Sequence, residues 1–380
     1  MIKPFINRKA ATMAVSMFFV LNLNSQTTLK ESLKGQFLIG VAMDSTQIVN
    51  PNGKDAKIIA SNFNSIVAEN CMKSVEIQPK EGVFDFTLAD KMIEFGEKNN
   101  QFVVGHCLIW HSQLPNWFCA DENGNNVSAD LLKKRMRDHI YTVVSRYKGR
   151  VHGWDVVNEA IEDNGDLRNS RFYQILGEEY IELAFKYAHE ADPDAELYYN
   201  DYSMSKREKY KTAIRIVNNL KNKGIRIDGV GMQGHMDLKH PTIDDYENAI
   251  IDISATGAKV MITELDISPL PNPFDRDVAE ISKKAEYKDY MDPYKKGLPT
   301  KVVTQWNDRV MSMFDLFLKH SDKIGRVTFW GLTDKQSWKN DFPIKGRTDY
   351  AVFYDRKSEP KDVLKMIISA AEKNSIQSNK

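Results

Sequence analysis

Two glutamates stand at the ends of two apolar stretches of similar design. The first stretch, a run of apolar and β-branched residues, ends in Asn158 and Glu159, and the second carries Glu264 and Asp266 at its end. Hydrolysis of a glycosidic bond needs one carboxylic acid that protonates the leaving oxygen and a second, ionised carboxylate at the anomeric carbon. Glu159 and Glu264 are the candidates for these two groups, and Asn158 is placed to hold a substrate hydroxyl beside them.

Eight short apolar segments alternate with helical segments along the chain. The predicted strands are residues 37–42, 65–68, 102–111, 151–157, 196–199, 229–232, 259–263 and 326–330. Their apolar runs are nearly continuous, which is typical of strands covered on both faces. This order predicts an α/β fold, a single-domain (β/α)8 TIM barrel, whose catalytic groups lie where strands end and loops begin. A doubly wound open sheet is the alternative, although neither a G-x-G-x-x-G sequence nor a phosphate-binding loop is present.

Three connections between the strands carry specific expectations. Residues 170–191 are predicted to form one long helix, which the following Asp-Pro pair would end. Ser205 and Glu208 have the spacing of a capping box at the start of the next helix. Residues 269–299 form a long polar loop after the seventh predicted strand.

Nearly every predicted strand ends in a side chain that can form hydrogen bonds or stack. These residues are Glu69, Asn70, His106, Trp110, Asn158, Glu159, Asn200, Gln233, His235, Glu264, Asp266 and Trp330. Chance polar loops would carry more serine, lysine and glycine. Their concentration at one end of the barrel indicates a binding site for a polar ligand.

The aromatic residues indicate what that ligand is. Trp110, Trp330 and Trp338 fall at or just beyond strand ends, with Tyr202 nearby. Indole and phenol rings stack on the apolar faces of pyranose sugars, while amide and imidazole groups bind their hydroxyls. Core packing is the alternative for any single tryptophan, but three at loop positions favour a groove for a sugar chain.

Three histidines leave a rival reading open. His106, His111 and His235, with acidic residues nearby, have the side chains of a metal-dependent hydrolase. The first predicted strand contains no histidine, so the H-x-H pattern of such barrels is missing. Asp155 lies earlier in its strand and is interpreted as structural, while Asp266 is a candidate partner for a histidine.

Composition excludes several classes of protein. The chain has 380 residues, with 52 Lys and Arg against 52 Asp and Glu. A formal net charge of zero argues against binding to nucleic acid, which requires a basic surface. The three cysteines, Cys71, Cys107 and Cys119, form no disulfide framework and no zinc-site spacing.

The first residues have the pattern of a secretory signal peptide. A positive segment with Lys3, Arg8 and Lys9 precedes a short apolar run, which small and polar residues follow. We expect residues 1–25 to be removed and residues 26–380 to form the mature catalytic domain. The mature protein is then secreted or periplasmic and not attached to a membrane. An uncleaved anchor is the alternative.

With these residues assembled, the chain resembles family 10 glycoside hydrolases, the endo-β-1,4-xylanases, over about residues 40–361. Several long motifs occur in the order typical of that family. They are Ala68–Lys73, Gly105–Gln113, Trp154–Ala160, Asn200–Tyr202, Gly229–His235, Ile262–Asp266, and Phe329–Asp334 with Trp338.

The resemblance implies a retaining mechanism, with Glu159 as acid/base and Glu264 as nucleophile. The residues it assigns to distal glycone contacts are Glu69, Asn70, Lys73 and Trp338. The residues it assigns to the surroundings of the cleaved sugar are His106, Trp110, Asn158, Gln233, His235 and Trp330. Asp266 matches an acid that steadies the site through histidine. The implied partner is xylan or a xylo-oligosaccharide, bound by a monomer without metal or cofactor.

Two departures from the family and two alternatives stay open. The family often has arginine where Val104 stands, and residues 269–299 form a longer loop than expected, which we expect to reshape the aglycone end of the groove. The first alternative is another β-1,4-glycanase, acting on cellulose or mixed-linkage glucan. The second is a catalytically silent xylan-binding protein, against which the intact Glu159 and Glu264 argue.

Overall fold

The computed structural model of the chain describes residues 27–273 and 285–378. The predicted signal segment, residues 1–25, lies outside these ranges, so its cleavage and the export of the protein stay predictions. Part of the polar loop, residues 274–284, lies outside them as well. Within the described ranges, no helix combines the length and the apolar character needed to cross a membrane.

Parallel strands form the centre of the molecule. In the described ranges they are β1 (Leu38–Met43), β2 (Ser65–Ala68), β3 (Phe102–Trp110), β4 (Gly153–Asn158), β5 (Glu196–Asp201), β6 (Gly229–Met232), β7 (His235–Asp237), β8 (Lys259–Ser268) and β9 (Ile324–Phe329). β1 to β6 pair in sequence order, β6 pairs with β8, and β8 and β9 lead back to β1. These eight strands close a parallel barrel with helices between them, which confirms the predicted (β/α)8 fold.

The short strand β7 was not predicted from the sequence. It pairs with the end of β8, where His235 lies opposite Asp266 and Asp237 lies opposite Ser268. Because of this pairing, β8 continues past its predicted end at Thr263. Glu264 therefore lies within a paired strand rather than in a loop.

Helices cover the outside of the barrel. They are α1 (Leu29–Ser32), α2 (Ser45–Val49), α3 (Lys54–Asn62), α4 (Ser74–Ile77), α5 (Thr87–Lys98), α6 (Ala129–Arg146), α7 (Arg171–Leu176), α8 (Glu179–Ala191), α9 (Arg207–Asn222), α10 (Ile243–Ser254), α11 (Thr300–Lys319) and α12 (Val363–Ser378). Their order along the chain alternates with that of the strands, as the sequence pattern predicted.

Two local predictions about the helices were wrong. The helix predicted over residues 170–191 is divided into α7 and α8, because Gly177 ends α7 with φ at 60° and ψ at −150°, a conformation that essentially only glycine adopts. The capping box of Ser205 and Glu208 does not form. α9 begins at Arg207 with Lys206 at the N-cap position, and no side chain caps it.

A small hydrophobic cluster fills the barrel interior beneath the polar groups. Its buried members are Ala42, Val67, Val104, Tyr198, Met261 and Trp330. Side chains alternate across a strand, so the residues next to them, such as Val41 and Ile66, belong to the larger cluster between the barrel and the helices. Apolar side chains thus fill the barrel interior, and the predicted polar side chains lie at the strand ends.

A close approach of two strands places the end of β3. Gly105 is paired in register with Trp154, and a Cβ atom at position 105 would lie 2.1 Å from the indole. The next pair in register joins His106 to Asp155. The missing side chain at Gly105 therefore lets β3 and β4 pack closely below the site.

Replacement of Gly105 by alanine tests this packing. We expect Gly105→Ala to lower the free energy of unfolding by about 1–3 kcal/mol, since the added methyl group must displace Trp154. The measurement is equilibrium denaturation by urea. Gly325→Ala is the matched control in β9, where the nearest atom to the new Cβ lies at 3.6 Å. Equal losses in the two variants would contradict the argument.

Candidate active site

The carboxyl ends of the barrel strands bring the predicted polar side chains together. Glu159 directly follows β4, and Glu264 lies on β8. The two residues are 5% and 4% exposed. Both carboxyl groups therefore lie where little water surrounds them, and neighbouring side chains decide their charge.

Three side-chain amides connect the two carboxyl groups. Gln233 Nε2 donates to Glu159 Oε1 at 2.9 Å and reaches Asn158 Oδ1 at 3.4 Å. Asn200 Nδ2 donates to Asn158 Oδ1 at 3.0 Å and to Glu264 Oε1 at 2.8 Å. We call Gln233, Asn158 and Asn200 the amide bridge. It sets the position of each carboxyl group relative to the other.

Glu159 is held as a proton donor. Its Oε2 accepts a hydrogen bond from Trp110 Nε1 at 2.8 Å. Burial, followed in size by the negative charge of Asp201, raises the pKa of Glu159 to about 7. Hydrogen bonds from Gln233 and Trp110 oppose the rise. The carboxyl group therefore keeps its proton up to near-neutral pH.

The backbone at Glu159 is strained. Its φ angle is 56°, in the left-handed region, which costs a residue other than glycine about 1–2 kcal/mol. The N–H of Glu159 donates to the carbonyl of Asn200 at 2.9 Å, and its carbonyl accepts from Arg168 Nε at 2.9 Å. These two bonds hold the conformation at the turn that follows β4.

Glu264 is held as a carboxylate. Burial acts to raise its pKa. The hydrogen bond from His235, the charges of His106 and His235, and the hydrogen bond from Asn200 together outweigh burial and hold the pKa below its usual value. His235 Nε2 lies 3.2 Å from Glu264 Oε2, and Asn200 binds the other oxygen. The two carboxyl groups of the site therefore differ in charge over a wide range of pH.

His235 connects Glu264 to Asp266. Its Nδ1 lies 2.8 Å from Asp266 Oδ2, which also accepts from Trp338 Nε1 at 2.7 Å. Burial acts to lower the pKa of His235, but the charge of Asp266 and its hydrogen bond raise the pKa to about 9. The imidazole is therefore a cation at neutral pH, and it donates one N–H to each carboxylate.

A second polar group follows β2. Lys73 Nζ donates to Asn70 Oδ1 at 2.9 Å and lies 5.2 Å from the centre of the Trp110 ring. Lys73 is buried, whereas Glu69 is partly buried and Asn70 is exposed. Burial, opposed by the charge of Lys73, raises the pKa of Glu69 to about 7. These side chains offer hydrogen-bonding groups to a ligand beside Trp110.

The predicted aromatic residues differ in exposure and in the rings they pack against. Trp330 is buried and packs edge to face against His106, with the ring centroids 5.3 Å apart. Trp338 is partly exposed and stacks on Phe342, with the ring centroids 4.7 Å apart. The expectation for Tyr202 was wrong. It is 2% exposed and Lys209 Nζ covers its ring at 3.4 Å, so no sugar can stack on it.

His106 is bound to an acidic neighbour. Its Nδ1 lies 2.9 Å from Asp155 Oδ2, in agreement with a structural role for Asp155. Among residues 27–273 and 285–378, no group of three or more His, Cys, Asp and Glu side chains is arranged to hold a metal ion.

The described part of the polar loop lies against the segment that follows β9. Ala285 N donates to Pro343 O at 2.9 Å, Thr348 N donates to Asp292 at 3.0 Å, and Tyr350 donates to Tyr294 O at 2.6 Å. That segment carries Trp338, which the resemblance assigns to the glycone side. Residues 274–284 of the loop lie outside the described ranges, so the expectation that residues 269–299 reshape the aglycone end stays a prediction.

Asn200 was noted as a strand-end residue but not chosen for the site. It is fully buried, it binds Glu264 directly, and Thr263 Oγ1 donates to its Oδ1 at 2.6 Å, which orients the amide. The signal was its place at the end of a predicted strand. Arg168 carried no such signal, because it reaches Glu159 from a loop beyond the motif.

Replacement of Asp266 tests the origin of the charge on His235. The pKa of His235, about 9, exceeds that of an unfolded histidine, about 6.5. Its proton therefore stabilises the fold fully below about pH 6.5, and this contribution is lost as the pH rises through about 9. We expect Asp266→Asn to lower the pKa of His235 and to flatten that dependence of unfolding free energy on pH.

The measurement is an NMR titration of the imidazole of His235. His139 is the internal control, because burial lowers its pKa to about 4 and it binds Gln78 instead. A pKa of His235 that stays near 9 in the variant would contradict the assignment.

The chain is similar to known proteins over most of its length. The family model of "Glycosyl hydrolase family 10" matches residues 28–370. The Endo-1,4-beta-xylanase A of Xylanibacter ruminicola is 46% identical over 348 residues, which are 92% of this chain and 94% of that protein. The Endo-1,4-beta-xylanase A of Thermotoga maritima is 43% identical over 327 residues, 83% of this chain but 29% of that longer protein.

A solved structure agrees with these sequence matches. A GH10 endoxylanase retrieved from a sugarcane soil metagenome superimposes with a TM-score of 0.86 at 42% identity, covering 90% of this chain and 99% of the other. The family match, the identity of the relatives and this superposition all span the barrel and its site. The chain therefore belongs to glycosyl hydrolase family 10.

Proposed function

We propose that this protein is an endo-1,4-β-xylanase that cleaves xylan with retention of anomeric configuration. The observation that carries the chemistry is the opposite ionisation of two buried carboxyl groups, with the pKa of Glu159 raised to about 7 and that of Glu264 lowered. Pairs of acids whose environments separate their pKa values are the acid and the nucleophile of glycosidases. The names of the relatives, endo-1,4-beta-xylanase, support the choice of substrate.

In the first step, Glu264 attacks the anomeric carbon while Glu159 donates its proton to the leaving oxygen. Asn200 and the cationic His235 each bind one oxygen of Glu264, so the attacking carboxylate is oriented before the substrate arrives. Trp110 and Gln233 orient the carboxyl group of Glu159 in the same way. The step forms a glycosyl ester on Glu264 and releases the aglycone part of the chain.

In the second step, Glu159 acts as a base. The negative charge of Glu264 is one of the causes that raise the pKa of Glu159. Ester formation removes that charge, so the pKa of Glu159 falls and its carboxylate can take a proton from water. The activated water then hydrolyses the ester and restores Glu264, which completes a double displacement.

The main alternative is a β-1,4-glucanase with the same carboxyl pair. Glucose carries a hydroxymethyl group at C5 that xylose lacks. Lys73 is buried between Asn70 and the Trp110 ring, and the partly exposed Trp338 stacks on Phe342. We infer that these packed side chains leave the glycone end fitted to the smaller sugar.

A comparison of three polymers tests the substrate and the nucleophile together. We expect release of reducing ends from xylan, with little from carboxymethylcellulose or mixed-linkage β-glucan. Glu264→Ala should abolish the release of reducing ends from xylan, because no nucleophile remains. Circular dichroism of the variant checks that it is folded. NMR of a fresh xylan digest should show the β-anomer first.

Other results would change the proposal in defined ways. Activity mainly on the glucans would keep the chemistry and overturn the substrate. Binding of xylan without turnover by the wild-type protein would favour the catalytically silent alternative. An initial α-anomer would contradict the double displacement.

Replacement of Glu159 tests its role as the acid. Glu159→Ala should lower kcat/KM on xylo-oligosaccharides by about 10²-fold or more, because their leaving groups need a proton. It should spare kcat/KM on aryl xylobiosides with activated leaving groups, for which the first step needs no acid. The wild-type kcat/KM on oligosaccharides should fall as the pH rises through about 7, where Glu159 loses its proton. Equal losses on both substrates would contradict the acid role.

A further inference from the structure

A buried ion pair lies behind Glu159, on the side of β5 that faces the helices. Asp201 is the last residue of β5 and Lys209 lies in the first turn of α9; both are 0% exposed. Lys209 Nζ is 2.9 Å from Asp201 Oδ1. The mechanism described above uses neither residue as a reacting group.

The carboxylate of Asp201 holds the turn that carries Glu159. Its Oδ2 accepts from the backbone N–H of Ile161 at 3.2 Å and from the hydroxyl of Tyr199. The same Tyr199 oxygen accepts from the backbone N–H of Ala160 at 3.1 Å. Asp201 therefore fixes the two amides that follow Glu159, directly and through Tyr199, and so supports the strained backbone there.

Lys209 is an unusual residue for its position. A cation in the first turn of a helix opposes the helix dipole, and a fully buried lysine loses its hydration. Both effects are unfavourable, and the ion pair with Asp201 offsets them. Nζ also lies 3.4 Å from the centre of the Tyr202 ring and 3.8 Å from Asp163. The position of this charge is thus closely defined.

We propose that Lys209 is a positioning residue of the hydrolytic reaction, which acts on Glu159 through Asp201. The proposal rests on the function proposed above, in which Glu159 is the acid. Lys209 balances the charge of Asp201, and Asp201 in turn holds the turn after β4 and places a negative charge near the proton of Glu159. Lys209 thereby keeps Asp201 ionised, and the charge of Asp201 helps Glu159 to keep its proton.

The electrostatic effects on Glu159 and Asp201 agree with this geometry. After burial, the charge of Asp201 is the largest cause that raises the pKa of Glu159. Burial raises the pKa of Asp201, and the charge of Lys209 opposes that rise. Hydrogen bonds from Tyr199, Ile161 and the N–H of Tyr202 also favour the carboxylate form of Asp201.

Other charged or titratable groups lie on the elements that form the site around Glu159. They are Glu69 and Lys73 after β2, His106 on β3, His111 after β3, Asp155 on β4, Arg168 before α7, His235 on β7, and Glu264 and Asp266 on β8. None of them changes in the variants proposed below. A shift of the pH profile in those variants therefore reports on the pair itself.

The test compares the pH profiles of kcat/KM of two variants. The readout is the alkaline limb, the pH range in which kcat/KM falls as Glu159 loses its proton. Lys209→Met removes the cation that keeps the buried Asp201 ionised. Asp201 then takes up a proton and loses the negative charge that raises the pKa of Glu159, so the limb should move to lower pH by roughly half a unit or more. The double variant Asp201→Asn/Lys209→Met removes both charges, and its limb should also move to lower pH by a similar amount, because the negative charge of Asp201 no longer raises the pKa of Glu159. The substrate is xylopentaose, and an activated aryl xylobioside should show no such shift.

A second buried pair provides the matched control. Lys361 Nζ lies 3.0 Å from Asp334, behind the loop that follows β9, and its charge also faces an aromatic ring, that of Trp306 at 4.3 Å. Lys361→Met should lower stability and leave the alkaline limb in place. A merely structural role of Lys209 predicts the same behaviour for Lys209→Met.

The outcomes separate this proposal from the proposed function. A limb at the wild-type position in Lys209→Met, or a shift of that limb to higher pH, would overturn the role of Lys209. If Lys209→Met does not fold, the double variant decides, since it buries no unpaired charge: a downward shift supports the proposal and an unmoved limb overturns it. Absence of hydrolysis by the wild-type protein, or an alkaline limb that persists in Glu159→Ala, would instead overturn the assignment of the acid.

Discussion

The burial of two carboxyl groups in one site is the constraint on which the rest of this structure depends. In surroundings of low dielectric, a negative charge is costly unless a cation or hydrogen bonds offset it, so the carboxyl group with the weaker compensation keeps its proton. The surroundings decide which one. Glu264 receives the charge of His235 and a hydrogen bond from Asn200, whereas Glu159 faces the charge of Asp201. This asymmetry turns two identical side chains into an acid and a nucleophile.

The barrel makes that asymmetry permanent by fixing backbone positions. The pairing of β7 with β8 brings His235 opposite Asp266, so the cation stands beside Glu264. On the other side, backbone bonds and the Asp201 carboxylate hold the turn at Glu159 in a left-handed conformation. Strain of this kind persists only where the surrounding structure determines it strongly, as at functional sites.

Much of this was predictable from the sequence. Glu159 and Glu264 were identified because each ends a continuous apolar run, and a buried parallel strand has that pattern. The same reasoning failed for residues 170–191, where the periodicity of two helices continued across Gly177. It also failed for Tyr202, since strand-end position does not tell whether a ring faces the groove or, as here, the helix α9. Periodicity reports which residues are buried, but not against what.

The sequence by itself determined the elements, their order and the residue types at the strand ends, because local propensity and hydrophobic pattern act over a few neighbouring residues. Only the tertiary structure decided the charges of those residues. The amide bridge, the contact of Asp266 with His235 and the pair of Asp201 with Lys209 join residues from different elements. A pKa depends on burial and on charges within a few ångströms, and these distances exist only after the strands and helices have packed.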